Sequence, residues 1–192
     1  MTWGESFKDE FYEITVAGLT RKLPKVKIND ELAIASFVMF GDTELVERCA
    51  EHLTAKFSVS GIDYLVCPEA KAIPLIHACA RNLGIDYVVI RKSVKGYMTD
   101  PITEKVESIT TIGEQNLVLD KVDIDKIKGK NVAIIEDVVS TGGTIASVEK
   151  LLNKVEANVV CRAAVLLEDA GYENPDLVYL EKLPVFKPPV QA

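Results

Sequence analysis

The chain has 192 residues, of which 48% are apolar and 27% charged, with 11 Gly and 8 Pro. A chain of this size buries roughly 70% of its unfolded surface around one core, and this balance excludes a disordered or collagen-like main state. Twenty-two Lys and Arg against 29 Asp and Glu leave a formal charge of −7, which repels a nucleic-acid backbone and offers no counterion release. No nucleic-acid partner is expected, and a bound anion must be held by a few local donors against the global field.

The opening Met1-Thr2-Trp3-Gly4-Glu5-Ser6-Phe7-Lys8-Asp9-Glu10 carries acids where a signal peptide needs a basic patch and an apolar run. The most apolar stretches, 32 to 40 and 163 to 167, fall far short of the ~18 residues of a membrane span. A soluble, cytoplasmic protein with no membrane partner is the expectation. Cys49, Cys67, Cys79 and Cys161 have no CxxC spacing and read as buried reduced thiols. His52 and His77 each stand alone on an expected helix and read as structural, so no metal ligand is assigned.

In chain order, Asp42 or Thr43 caps a helix over about 43 to 57, whose apolar positions Leu45, Val46, Cys49, Ala50, Leu53 and Phe57 recur at helical spacing. A β-rich run over 62 to 67 leads through a polar turn into a helix over about 72 to 83, with Pro74 in its first turn and Gly84 at its end. Residues 85 to 90 form a second buried-type strand. This β-α-β unit requires a right-handed crossover and a parallel sheet. Residues 93 to 120 leave the pattern, and 105 to 112 and 115 to 119 are expected to pair as a hairpin across Gly113-Glu114. So long an insertion is usually functional, and it is expected to be flexible. Strand 132 to 135, a helix bearing Ile145, Val148, Leu152 and Val155, and a strand over 159 to 167 complete a second β-α-β unit.

The chemistry concentrates in residues 132 to 144, Val-Ala-Ile-Ile-Glu-Asp-Val-Val-Ser-Thr-Gly-Gly-Thr. The strand delivers Glu136 and Asp137 to its carboxyl end, the edge where open α/β sheets bind ligands. Ser140, Thr141, Gly142, Gly143 and Thr144 then supply amides and hydroxyls at a helix N-terminus, where the dipole resembles about half a positive charge. A phosphate fits the loop while the adjacent acids grip sugar hydroxyls. No lysine follows the glycines, so this is not a P-loop, and it is not GxGxxG.

This string resembles, over all thirteen positions, the phosphoribosyl-pyrophosphate (PRPP) motif of type I phosphoribosyltransferases. The resemblance implies an α/β fold with a mostly parallel sheet flanked by helices, as one domain over 1 to 192. It also implies a small hood at about 11 to 30 and 168 to 192 and a flexible catalytic loop at about 93 to 120. It further implies transfer of the phosphoribosyl group to a nitrogenous base, with Glu136 and Asp137 on the ribose hydroxyls as catalytic acids. Val138, Val139, Ser140, Thr141, Gly142, Gly143 and Thr144 would hold the 5′-phosphate. Glu69, Ala70, Lys71 and Ala72 resemble the pyrophosphate loop in its adenine-type form, with Lys71 and Ala72 replacing arginine and glycine. Arg91-Lys92 is similar to the family's pyrophosphate-facing pair, so that with Lys71 three cations are expected at one strand edge. Mg²⁺ is expected to arrive on PRPP, with no protein-made metal cage, and the partners implied are PRPP, a purine base and a second copy in a homodimer.

For the base, the resemblance points to the segment 19 to 24, with Leu19 and Arg21 as contacts, and to Leu167-Glu168-Asp169, with Leu167 as a contact. The order of segments is most similar to adenine phosphoribosyltransferases. Thr111-Ile112 stands where those enzymes carry a Glu-Tyr pair in the loop, and Ser140 where hypoxanthine-guanine enzymes carry an acid. Lys105 to Thr110 resembles the loop of xanthine enzymes. Adenine ranks first, with xanthine, hypoxanthine and guanine as alternatives. A non-catalytic PRPP-sensing regulator is the alternative of another class; no basic helix-turn-helix pattern precedes the core.

Overall fold

The computed structural model describes residues 10–57, 61–106 and 115–187. Its centre is a five-stranded, all-parallel sheet in the order β10-β9-β8-β4-β5, built from β4 (Tyr64–Pro68), β5 (Asp86–Ile90), β8 (Asn131–Val139), β9 (Asn158–Glu168) and β10 (Leu177–Leu183). Strand alternation divides the side chains between two cores. Leu65, Cys67, Ala133 and Ile135 join one cluster with α1 (Thr43–Ala55) and α2 (Ile73–Leu83), whereas Val66, Val132 and Ile134 join the other with α4 (Gly143–Lys154). The fold class read from the β-α-β units is the one observed.

Above the first cluster lies a four-stranded antiparallel sheet, β1 (Phe11–Val16), β2 (Leu19–Lys27), β3 (Ala33–Ala35) and β11 (Val185–Phe186), in the order β1-β2-β3-β11. Ile14, Val16, Leu23, Ala35 and Phe37 seat this hood on α1, α2 and the main sheet. The proline-rich tail is brought back to it, because β11 pairs Phe186 with Ala33, and Lys25 lies 4.6 Å over the Phe186 ring. Pro188 and Pro189 lie outside the described residues.

The excursion from the sheet contains β6 (Ile102–Val106) and β7 (Gln115–Leu119), antiparallel, with Ile102 opposite Leu119. The first strand therefore begins before the expected 105 to 112. The expected Gly113-Glu114 turn lies outside the described residues. Burial sets this register: Leu117 and Leu119 enter the second core, and Lys154 of α4 reaches Glu104 and the Thr103 carbonyl. A short helix, α3 (Lys121–Ile127), follows, capped by Asp120, whose carboxylate accepts from the Lys121 and Thr99 amides at 2.8 Å. Seven residues are too few for apolar periodicity to announce a helix.

All four cysteines are free and buried, and burial pushes the Cys49 and Cys79 thiols up to about 12, so they remain protonated core residues. His77 lies 3.5 Å from the Tyr87 hydroxyl, a helix-to-strand contact. No helix among the described residues is long and apolar enough to cross a membrane.

Asp42 ties the hood to α1. Its carboxylate caps α1 by accepting from the Leu45 amide at 3.0 Å and pairs with Arg21 Nε of β2 at 2.6 Å. The Arg21 guanidinium holds this carboxyl below the usual carboxylate range, so its contribution is full at neutral pH and lost on acidification through the lowered pKa. Asp42→Ala is expected to lower the unfolding free energy by about 1–2 kcal/mol in urea denaturation at neutral pH, with a smaller difference from the parent protein in acid.

Candidate active site

The two acids of the motif sit inside β8, which extends through Val139 rather than ending at Ile135. Both acids line one cleft at the carboxyl end of the strand. Glu136 is 7% exposed and Asp137 6%, and desolvation pushes both carboxyls above their usual range, Glu136 well above it, with the Asp137 charge adding to the rise at Glu136. Lys71 Nζ, 3.9 Å from Asp137 Oδ2, opposes the shift at Asp137. Among the described residues Asp137 Oδ2 is the one buried side-chain polar atom with no hydrogen-bond partner. A buried acceptor without a donor is costly, and a ligand hydroxyl would satisfy it.

After β8 only Ser140, Thr141 and Gly142 separate strand from helix. Val139 packs with Ile145 and Leu177, and Val138 against the first core, so these two valines anchor the loop within the cleft wall. Gly142 begins α4 at φ +80, which favours glycine, and an added Cβ would lie 2.1 Å from the Tyr172 ring. Tyr172, whose hydroxyl accepts from Asn174 Nδ2 at 3.1 Å, thus presses on the loop from the β9 to β10 connection. The amides of the first α4 turn, having no partners within the helix, open toward the cleft that Ser140 to Ile145 line.

The opposite wall is the turn after β4. The Glu69–Ala70 peptide is cis. Glu69 accepts from the Lys92 amide at 3.0 Å and pairs with Arg91 Nε at 3.3 Å; the amide bond from Lys92, then Arg91, holds its carboxyl below the usual range. Glu69 is thereby a tie between the turn and the end of β5. Of the three expected cations, Lys71 and Lys92 line the cleft. Arg91 does not, because Glu69 and the Tyr97 hydroxyl, 3.0 Å from its Nη1, draw it aside. Ala72, 1% exposed, is buried at the start of α2 and is not among the cleft-lining residues.

Between these walls is a cleft of about 390 Å³, within the range of small-ligand sites, closed on the hood side by Ile28, Ile34, Phe37, Glu168 and Leu183. Leu19, Arg21 and Leu167, the expected base contacts, are not brought to it. Leu19 packs on the main core, Arg21, opposite Ile14, is held by Asp42 and Glu44 at the start of α1, and Leu167 packs beside Val139 and Ile145. Of the stretch after the last core strand it is Glu168 that lines the cleft. Its signal was in the sequence: an acid ending the apolar run 163 to 167, the same pattern that marks Glu136 after 132 to 135. Phe37 and Leu183 carry no such signal, because their places depend on how the hood folds over. The cleft thus offers amides and hydroxyls at one end, two lysines at the other, and two desolvated acids between, a distribution suited to a sugar bearing phosphates at both ends.

Among the described residues no group of three or more His, Cys, Asp and Glu is arranged to hold a metal. The acids raised by burial bind protons more tightly in the folded chain than in the unfolded one, so their contribution to stability is present below the ordinary carboxylate range. It is lost as pH rises from there through the raised pKa. Asp137→Asn removes a buried charge while keeping shape. It is expected to raise the melting temperature relative to the parent protein by a margin that widens between about pH 5 and pH 8. Gly142→Ala meets both strain and the Tyr172 ring and should cost more than about 1 kcal/mol in the same measurement.

Residues 39–185 match the model of the phosphoribosyl transferase domain. A hypoxanthine/guanine phosphoribosyltransferase of Methanothermus fervidus is 35% identical over 130 residues, covering 68% of this chain and 65% of that protein, so the match spans just under two thirds of the relative's length. An adenine phosphoribosyltransferase of Methanococcus vannielii is 29% identical over 126 residues, 65% of this chain and 69% of that one. Among solved structures, adenine phosphoribosyltransferase from Thermoanaerobacter pseudethanolicus superposes with a TM-score of 0.62 at 22% identity, over 93% of this chain and 98% of that one. Given the domain match and the shared parallel sheet with its antiparallel hood, the chain belongs to the phosphoribosyl transferase family, with the type I fold.

Proposed function

We propose that this chain is a purine salvage transferase that joins a purine, adenine before the 6-oxopurines, to PRPP, giving the nucleoside 5′-monophosphate and pyrophosphate. The observation that carries this reading is Asp137 Oδ2, buried beside Glu136 without a hydrogen-bond donor, lying between an amide-rich loop and two lysines. In the reaction the base nitrogen forms a bond to C1′ of the ribose, and the bond from C1′ to the pyrophosphate oxygen breaks, its electron pair leaving with pyrophosphate. The proton on the base is released. The loop from Ser140 to Thr144 binds the 5′-phosphate, Lys71 and Lys92 face the pyrophosphate, and Glu136 and Asp137 accept from the ribose 2′- and 3′-hydroxyls. These carboxylates also stabilise the positive charge that develops on the ribose ring.

Magnesium fits this site as a passenger of PRPP. Two acids with one partnerless oxygen suit a hydrated ion shared with ribose hydroxyls, whereas no cluster among the described residues forms a cage. When bound, it neutralises charge on the leaving pyrophosphate. Adenine is favoured by the Glu69-Ala70-Lys71 turn, by Ser140 where hypoxanthine-guanine enzymes carry an acid, and by the names of the structural neighbours. A 6-oxopurine is the second reading, favoured by the Methanothermus relative. A cytoplasmic homodimer is part of the same proposal.

Incubation with PRPP, Mg²⁺ and each of adenine, hypoxanthine, guanine and xanthine, following nucleotide and pyrophosphate, should give turnover fastest with adenine. Chelation by EDTA should abolish it, and Asp137→Asn should lower kcat/KM by about 100-fold or more while the protein stays folded. PRPP binding without turnover on any base would instead identify a sensor.

A further inference from the structure

The loop between β8 and α4 is short and loosely tied to itself. Ser140 to Gly142 separate strand from helix, and the consecutive Gly142 and Gly143 give this turn more backbone freedom than any other pair of residues would. Among the described residues the hydroxyls of Ser140, Thr141 and Thr144 make no hydrogen bond that would fix it. What covers the loop is one ring. Gly142 is buried although Thr141 beside it is exposed, and a Cβ on Gly142 would fall 2.1 Å from Tyr172 Cδ2 and 2.3 Å from its Cε2, so the ring edge lies directly on the glycine. Tyr172 is held in turn. Its hydroxyl accepts from Asn174 Nδ2 at 3.1 Å, Asn174 Oδ1 accepts from the Asp176 amide at 2.9 Å, and the ring packs against the cluster of Val139, Ile145, Ala164 and Leu177. Val139 and Ile145 flank the loop, so ring, strand end and helix start form one packed unit. Tyr172 is not among the cleft-lining residues, whereas Gly142 is. Its route to a ligand therefore runs through the backbone of Gly142.

We propose that Tyr172 is a positioning residue for the 5′-phosphate: it holds Gly142 in its left-handed conformation, so that the loop amides converge before the ligand arrives. This rests on the transferase reading above and adds to it the residue that organises the loop. Amides that bind a phosphate must be fixed in direction, and an uncovered glycine-rich loop would lose its freedom at the moment of binding, which weakens affinity. A ring already seated on Gly142 places that ordering in the folding of the chain instead. Because Lys71 and Lys92 stand on the opposite wall, the effect is confined to the sugar-phosphate end of the cleft, and the pyrophosphate end does not depend on Tyr172.

The test measures inhibition against PRPP by ribose 5-phosphate and, separately, by pyrophosphate, with Mg²⁺ and the base that turns over fastest both saturating, in the parent protein, Tyr172→Phe, Tyr172→Leu and Tyr172→Ala. Tyr172→Leu and Tyr172→Ala remove the ring and should weaken ribose 5-phosphate and raise KM for PRPP by about tenfold, with inhibition by pyrophosphate and KM for the base within about twofold of the parent. Tyr172→Phe keeps the ring on Gly142 and should stay within about threefold of the parent in every constant. Tyr172→Leu still fills the space beside Val139, Ile145 and Leu177, and it keeps the comparison informative if alanine impairs folding. A merely structural role would weaken both inhibitors alike. That result, unchanged inhibition by ribose 5-phosphate in Tyr172→Leu, or a rise in KM for the base in place of PRPP overturns the assignment of Tyr172 and leaves the transferase intact. A parent protein without turnover on any base removes the transferase reading and this one with it.

Discussion

Two adjacent carboxylates at the end of the central strand are held almost entirely out of water, with one lysine at 3.9 Å and one oxygen bonded to nothing. Burial alone opposes their ionisation, and the free chain bears that cost. The offset comes from the apolar length of β8 on both sides of the sheet, where Val132, Ala133, Ile134 and Ile135 are fully enclosed. A strand so firmly packed holds the acids in place when the ligand's hydroxyls arrive, and such preorganised groups act on developing charge without first rearranging.

The remaining parts of the cleft are placed around that strand. Gly142, in a backbone conformation that excludes most side chains and under the Tyr172 ring, turns the chain directly from strand to helix, so the helix amides start beside the acids. Across the cleft, Glu69 uses Arg91 and the Lys92 amide to tie the turn after β4 to the end of β5, leaving Lys71 and Lys92 to face the ligand. In the proposed function, this local positive charge offsets the formal charge of −7 when a polyanion binds. The hood, pinned through Asp42 and Arg21, closes the remaining side with apolar residues and one acid.

The elements with long apolar periodicity were legible in the sequence: α1, α2, α4 and the strands beside them appear within a few residues of their expected limits. So was the placement of the acids of β8 and of the loop after them, because acids after a four-residue apolar run, followed by hydroxyls and glycines, mark the carboxyl end of a strand turning into a helix. The hood was legible only as a location. It is assembled from both ends of the chain, and β3 and β11 contribute only three and two residues. Which hood side chains reach the cleft depends on that assembly, and for this reason Leu19 and Arg21 face elsewhere while Ile34 and Phe37 line it; in β9, strand alternation sends Leu167 away and Glu168 to the cleft. Arg91 shows the same limit: the sequence places it at a strand edge, and only the packing of Glu69 and Tyr97 turns it from the cleft.

The central claim is that burial raises the proton affinity of the β8 acids and that ligand hydroxyls and Mg²⁺ favour their charged form. Titration calorimetry of PRPP with Mg²⁺ in buffers of different ionisation enthalpy reads the protons exchanged on binding. The account predicts net proton release that is larger in the parent protein than in a Glu136→Gln variant. Binding with identical proton exchange in the two proteins across about pH 5 to 8, or no binding heat at all, would contradict it.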